Sequence, residues 1–230
     1  MNNKAVVLLS GGQDSATCLA IADNSFPSVY ALSVNYGQRH RLELQMATLL
    51  ARTVGCHHKV VDFPVLAELD KTSTMVARDG DERLVSEAHP IHKHLPSSFL
   101  PGRNYMLLGL AAVHAFNIGA DTIFTGTCQT DYSGYPDCRR EAIDAIEYAL
   151  QMAMDFPALE IRTPLMYLTK AETVLKMKAL NRLHWYAHTH TCYNNMLPPC
   201  GKCPSCVLRA KGFIEAGVKD PLFDRDIMGR

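Results

Sequence analysis

Apolar positions along the chain follow two rhythms. Ala5–Leu9 is an unbroken apolar run, the pattern of a strand buried on both faces. Residues 28–35 (SVYALSVN) and 57–63 read as second and third strands, the latter stopped by Pro64. Between them the spacing turns helical. One helix is expected over about residues 15–23. Another spans 41–54, where Leu42, Met46, Leu49 and Leu50 share a stripe that ends at Gly55. Asn104 is placed to cap a helix running to about Asn117, with Gly119 as its stop. Residues 121–126 form a fourth strand, and 139–154 a helix whose Ile143, Ile146, Leu150 and Ala153 face inward. A short fifth strand covers 159–164, and Thr169 caps a helix to about Asn181. This alternation predicts an α/β fold, an open and mostly parallel five-stranded sheet with helices on both faces, Rossmann-like. Ligands of such sheets lie at the carboxyl ends of the strands.

Residues 65–102 break the rhythm with charges, hydroxyls, Pro90, Pro96 and Pro101, and His89, His92 and His94. An insertion of this length reads as a lid or binding loop, its histidines as solvated. The expected division is a main domain over 1–185, carrying this insertion, and a tail over 186–230 packed on it.

Composition narrows the class. With 47% hydrophobic and 20% charged residues the chain can bury a full core, which excludes wholesale disorder. Lys plus Arg equal Asp plus Glu at 23 each, which argues against a protein that coats nucleic acid. The longest charge-free apolar run, 104–120, is short for a membrane span and contains His114 and Asn117. The N-terminal apolar run is too short for a secretory signal. A cytoplasmic protein without membrane or direct nucleic-acid partners is expected.

The strongest local chemistry is Ser10-Gly11-Gly12-Gln13-Asp14-Ser15 between the first strand and the first helix. Glycines let backbone approach an anion, the helix N-terminus offers free N–H groups, and the serines add hydroxyl donors. No GK[ST] follows, so the loop is not a Walker A motif.

Of eight cysteines, Cys18, Cys56, Cys128 and Cys138 are scattered, as buried or incidental thiols are. Cys192, Cys200, Cys203 and Cys206 are clustered on a Pro- and Gly-rich loop. Four thiolates at this spacing favour a structural Zn²⁺ with no open position for a catalytic water, one ion per subunit. The same ligands also suit a [4Fe–4S] cluster. Nearby His184, His188 and His190 are surplus to a complete shell.

Five further segments complete the pattern: residues 35–40 (NYGQRH), 101–104 (PGRN), 131–139 (DYSGYPDCR), 169–172 (TKAE) and the cysteine tail. With SGGQDS, they resemble the 7-cyano-7-deazaguanine synthase family of the ATP pyrophosphatase (PP-loop) superfamily, over residues 5 to about 216. SGGxDS alone specifies only the superfamily; the DYSGYPDCR run and four-cysteine tail specify the member family. The resemblance implies an adenine nucleotide alpha hydrolase-like fold, ATP with Mg²⁺ as co-substrate, small-molecule substrates and a homodimer.

The ATP loop is then expected over Leu8, Leu9, Ser10, Gly11, Gly12, Gln13, Asp14, Ser15, Ala16, Thr17 and Cys18, with Asp14, Ser15 and Lys170 catalytic. The substrate side is expected among Tyr36, Gln38, Arg39, Arg103, Asn104, Asp131, Tyr132, Ser133, Tyr135, Asp137 and Arg139. A purine-like base needs an aromatic face and a carboxylate, and its own carboxylate needs a cation. Tyr132 or Tyr135, Asp131 or Asp137, and Arg139 can supply these. Arg39 and His40 either reach the site or start a solvated helix. The implied reaction converts 7-carboxy-7-deazaguanine and ammonia to the nitrile through two adenylylations. Two rivals differ in class: a transfer-RNA sulfur-transfer enzyme, which needs reactive separate thiols, and a non-catalytic zinc-tail regulator.

Overall fold

Five strands, β1 (Lys4–Leu8), β2 (Ser28–Asn35), β3 (His57–Asp62), β4 (Thr122–Phe124) and β5 (Glu160–Arg162), stand in the order β3-β2-β1-β4-β5. Every pairing is parallel. This computed structural model describes residues 3–76, 88–129 and 135–224. The chain starts in the middle of the sheet, steps out to β3 and returns to the far side of β1. Strand order therefore reverses between β1 and β4, where a crevice opens at the carboxyl ends.

The apolar run of β1 serves two cores because side chains alternate across a strand. Ala5 and Val7, with Leu9, join α1 (Gln13–Ser25), α2 (Leu42–Val54) and α6 (Lys170–Ala179) on one face. Val6 joins Leu32, Val34 and Ile123 against α4 (Arg103–Ile118) and α5 (Arg140–Ala153) on the other.

Several expectations shift in detail. On α2 the buried stripe is Glu43, Ala47, Leu50 and Ala51, while Leu49 is 41% exposed. Ala47 and Ala51 share that face with Leu50, and Leu49 turns outward. On α5 only Ile143 and Ile146 are buried, and Ala153 is exposed at the helix end. Gly102, in a left-handed conformation, holds the N-cap position expected of Asn104. The capping oxygen comes from Asp137 Oδ2, which accepts from Asn104 N–H at 3.1 Å. Thr169 caps α6 as expected, in a reciprocal pair with Glu172.

The insertion begins with a short helix, α3 (Val65–Leu69); an isolated bridge, Gln38–Val76, ties it to the segment after β2, and a second, Ala88–Pro96, closes within the insertion itself. The tail carries a helix the sequence reading missed, α7 (Pro204–Glu215), seated against α6. Among the described residues no helix is long and apolar enough to cross a membrane.

Candidate active site

A cavity of about 610 Å³ opens at the carboxyl ends of the strands, within the range of small-molecule sites. Its floor is the loop between β1 and α1. Gly11 sits at φ +95°, and a Cβ there would lie 1.9 Å from the Glu43 carbonyl oxygen and 2.8 Å from Ala47 N. Only glycine lets this loop lie on α2. Ser10 and Ser15 hydroxyls stand 3.1 Å apart. Ser10 Oγ accepts from Gly12 N–H at 3.2 Å, and Ser15 Oγ accepts from Gly11 N–H at 3.3 Å. Gly12 caps α1 without a side-chain bond, which leaves the first-turn N–H groups and positive dipole end to an anion. Across the loop, β4 runs into Gly126, where a Cβ would come within 3.0 Å of Asp14 Cβ.

Lys170, the first residue of α6, reaches over the crevice to Asp14, Nζ to Oδ2 2.6 Å. The second carboxylate oxygen, Asp14 Oδ1, is buried with no hydrogen-bond partner among the described residues. A hard, unsatisfied oxygen beside a phosphate loop fits Mg²⁺.

The opposite wall is built around Arg103. Its guanidinium lies 5.3 Å from the Tyr135 ring centroid. Burial works against its charge, but Tyr36, Tyr135, Cys138 and Asp137 outweigh it and raise the pKa above the ordinary arginine value. Burial pushes the phenols of Tyr36 and Tyr135 up, with Arg103 pulling the other way. Tyr135 is held by a 2.6 Å hydroxyl contact to Ser98, from the insertion. Asn104 Nδ2 donates to Asp137 O and to Cys138 Sγ, both at 3.2 Å. The wall thus presents a fixed cation against the Tyr135 ring and beside the Tyr36 hydroxyl.

The four clustered cysteines converge, their sulfur atoms all within 4.8 Å of one another. Burial disfavours the Cys200 thiolate, yet N–H groups of Lys202 and Cys203, donating at 3.5 and 3.3 Å, bring its pKa down to about 6. A thiolate held ready among three further sulfurs fits a four-coordinate soft metal ion. His184, His188 and His190 are not members of this ligand group.

The structure separates the expected site residues. Leu8, Leu9, Ser10, Gly12, Gln13, Asp14, Ser15 and Lys170 line the cavity, as do Tyr36, Gln38, Arg103, Asn104 and Tyr135. Gln38 is engaged locally, its Oε1 accepting from Tyr36 N–H and its Nε2 donating to Val34 O. Gly11, Ala16, Thr17 and Cys18 stand behind the lining, with the Thr17 hydroxyl 2.7 Å from Tyr186 Oη. Arg39 and Asp137 are not among the lining residues, and Arg139 is exposed at the start of α5. Asp131, Tyr132 and Ser133 lie outside the described residues. The cavity adds residues that sequence reasoning missed: Glu43, Ser98, Thr125, Gly126, Thr127, Thr191 and Tyr193. Only Thr125–Thr127 had a signal, their position just beyond the fourth strand.

Known proteins give this cavity a context. A family model described as queuosine biosynthesis protein QueC matches residues 4–217. The 7-cyano-7-deazaguanine synthase of Chromobacterium violaceum is 46% identical over 226 residues, covering 97% of this chain and 94% of that one. The protein of the same name from Laribacter hongkongensis is 43% identical, over 96% and 94%. Among solved structures, a 4-thiouridine synthetase in complex with RNA and bound ATP superposes with TM-score 0.52 at 18% identity. That match covers 92% of this chain but 53% of the other, so the likeness is one of fold. The chain belongs to the QueC family.

Proposed function

We propose that this QueC-family chain makes 7-cyano-7-deazaguanine (preQ0) from 7-carboxy-7-deazaguanine, ammonia and two molecules of ATP, a step in queuosine biosynthesis. The observation that carries the reading is one cavity uniting an anion loop, Lys170 and an arginine that interacts with Tyr36 and Tyr135, in a chain 46% identical to a synthase of that name.

A carboxylate is a poor electrophile because oxide would have to leave. Adenylylation, with release of pyrophosphate, makes that oxygen the bridge of a mixed anhydride with AMP; ammonia then attacks, and AMP departs to leave the amide. A second adenylylation on the amide oxygen, followed by loss of AMP, gives the nitrile. Ser10, Ser15 and the N–H groups at the start of α1 hold the pyrophosphate end. Lys170, released from Asp14, neutralises the charge that develops there. Asp14 would hold Mg²⁺, which would supply further charge neutralisation for the phosphates. Arg103 pairs the substrate carboxylate, and Tyr36 and Tyr135 flank the flat base. Positioning and charge stabilisation supply most of the rate. The cysteine tail binds one structural Zn²⁺. The enzyme acts on free ammonia, as a cytoplasmic homodimer.

The fold likeness to a thiouridine synthetase raises sulfur transfer as a second reading. Two thiols line the cavity, Cys128 and Cys138. Burial pushes Cys138 up to about 11, which keeps it a thiol rather than a nucleophilic thiolate. Mass spectrometry of a reaction containing ATP, Mg²⁺, ammonium and 7-carboxy-7-deazaguanine decides. Nitrile with two AMP per turnover is expected. Release of AMP without amide or nitrile would discard the substrate, and no AMP from folded, metal-loaded protein would discard catalysis.

A further inference from the structure

One corner of the cavity has no part in the chemistry above. His40 is only 4% exposed and lines the cavity between β2 and α2. Its Nε2 lies 3.3 Å from Glu43 Oε2, in the first turn of α2. In the neutral ring, a proton on Nε2 facing that carboxylate leaves the other nitrogen as the lone-pair acceptor. That other nitrogen, Nδ1, is buried and has no hydrogen-bond partner among the described residues. A buried acceptor left empty is unfavourable unless a ligand donates to it.

Glu43 is itself out of place. The carbonyl of Glu43 packs on Gly11, and its Oε1 lies 3.5 Å from where a Cβ on Gly12 would stand, so a carboxylate adjoins the phosphate loop. A buried carboxylate there repels phosphates unless a small cation accompanies it. The groups around the corner are Glu43, the Tyr193 ring at 5.6 Å from His40, and Tyr36 and Arg103 across the cavity. Arg103 is the only one of these that is positively charged, and it is surrounded by Tyr36, Tyr135, Cys138 and Asp137. An aromatic face, a carboxylate and an imidazole lone pair together suit a small cation that donates hydrogen bonds in several directions.

We propose that His40, oriented by Glu43, is the ammonium-receiving site and the base that generates ammonia beside the adenylylated substrate. The inference rests on the function proposed above. Ammonium gives one proton to His40 Nδ1 and becomes nucleophilic ammonia. A C–N bond forms at the acyl carbon, and the C–O bond to AMP breaks with its electron pair on AMP. The remaining surplus proton on nitrogen passes to solvent, as does the one on His40, which resets the imidazole.

The test compares two nitrogen nucleophiles in wild type, His40→Ala and the bulkier His40→Gln. Hydroxylamine is largely unprotonated at neutral pH and needs no base. With ammonium, both variants should lose on the order of 10²-fold in kcat/KM. With hydroxylamine their rate of hydroxamate formation should stay within about twofold of wild type, because adenylylation is untouched. Equal losses with both nucleophiles would overturn the proposal, since His40 would then serve adenylylation or folding. A raised Mg²⁺ requirement with an unchanged ammonium KM would overturn it too, by making this corner a metal site. Wild-type protein that releases no AMP with the carboxylate substrate would instead refute the function, and the ammonium site with it.

Discussion

Gly212 offers the sharpest perturbation, because it links the cysteine tail to the phosphate chemistry without touching either ligand. It lies in α7, which Cys203 caps and which carries Cys206. A Cβ on Gly212 would stand 2.6 Å from Lys170 Cβ and 3.1 and 3.2 Å from the Lys170 backbone C and O. That is roughly an ångström short of ordinary contact, and backbone atoms cannot rotate away. Gly212→Ala therefore has to push α7 and the first turn of α6 apart, carrying Lys170 off its 2.6 Å contact with Asp14. Overpacking of this size costs about 1–3 kcal/mol, a drop of about 2–12 °C in Tm for a chain of this length. A misplacement of about 1 Å at a charge-stabilising group costs about 10²-fold in rate. The assay is AMP release at saturating substrates in a double-mutant cycle with Lys170→Ala. If Gly212 acts through the lysine, Gly212→Ala should cost little once Lys170 is gone. Full additivity in the cycle would refute this reasoning, whatever the melting temperature does, and an active Lys170→Ala would refute the role given to the lysine.

Arg209 is 4% exposed and gives two bonds to Asp220, at 2.6 and 2.8 Å, and others to Thr189 Oγ1 and Tyr186 O. Arg209→Met strands the Asp220 carboxylate and should cost about 3–5 kcal/mol in denaturant unfolding, whereas Arg209→Met with Asp220→Leu recovers most of it. A loss under about 1 kcal/mol in the single variant would show that the pair is not desolvated. Ser15→Ala should lower turnover by about 10²-fold with the fold intact, and near-normal activity would remove the loop from the phosphate chemistry. Cys203→Ser should lose bound metal and thermal stability together, read by metal analysis and a melting curve. A stable, active, metal-free variant would refute the structural role.

What was legible in the sequence was local. β1, the tight SGGQDS turn that lines the cavity and the four converging cysteines each lie within a short stretch of chain, where residue type and spacing carry the meaning. The cap of α4 was misread because its oxygen comes from Asp137, 33 residues beyond Asn104. Nothing at Asn104 announces that, and a polar residue before an apolar run looks like its own cap. The buried face of α2 was misread because close packing selected Ala47 and Ala51 over Leu49. α7 escaped because it starts inside the cysteine loop and has a glycine in its middle, which sequence rules count against a helix. Glu43 had no signal of its own, because its place is set by Gly11, which brings the SGGQDS loop onto its carbonyl.

The tail shows what the closed metal site proposed for the four cysteines would do in this molecule. His190 N–H donates to the Gly11 carbonyl at 2.9 Å, so the tail's backbone is bonded directly to the phosphate loop. Thr191, Tyr193, Pro204, Ser205 and Leu208, all between or just beyond the cysteines, line the cavity. Asn195 Oδ1 accepts from Leu42 N–H at 2.9 Å, fixing the start of the helix that carries Glu43. Gly212 presses on Lys170 from the other side. A loop so rich in proline and glycine has few apolar side chains of its own to hold these four contacts in register. The sulfur cluster replaces the missing core, and the geometry it fixes is that of the cavity wall. Loss of the metal should accordingly reach the ATP-handling residues before it reaches the sheet, whose two apolar layers are complete without it.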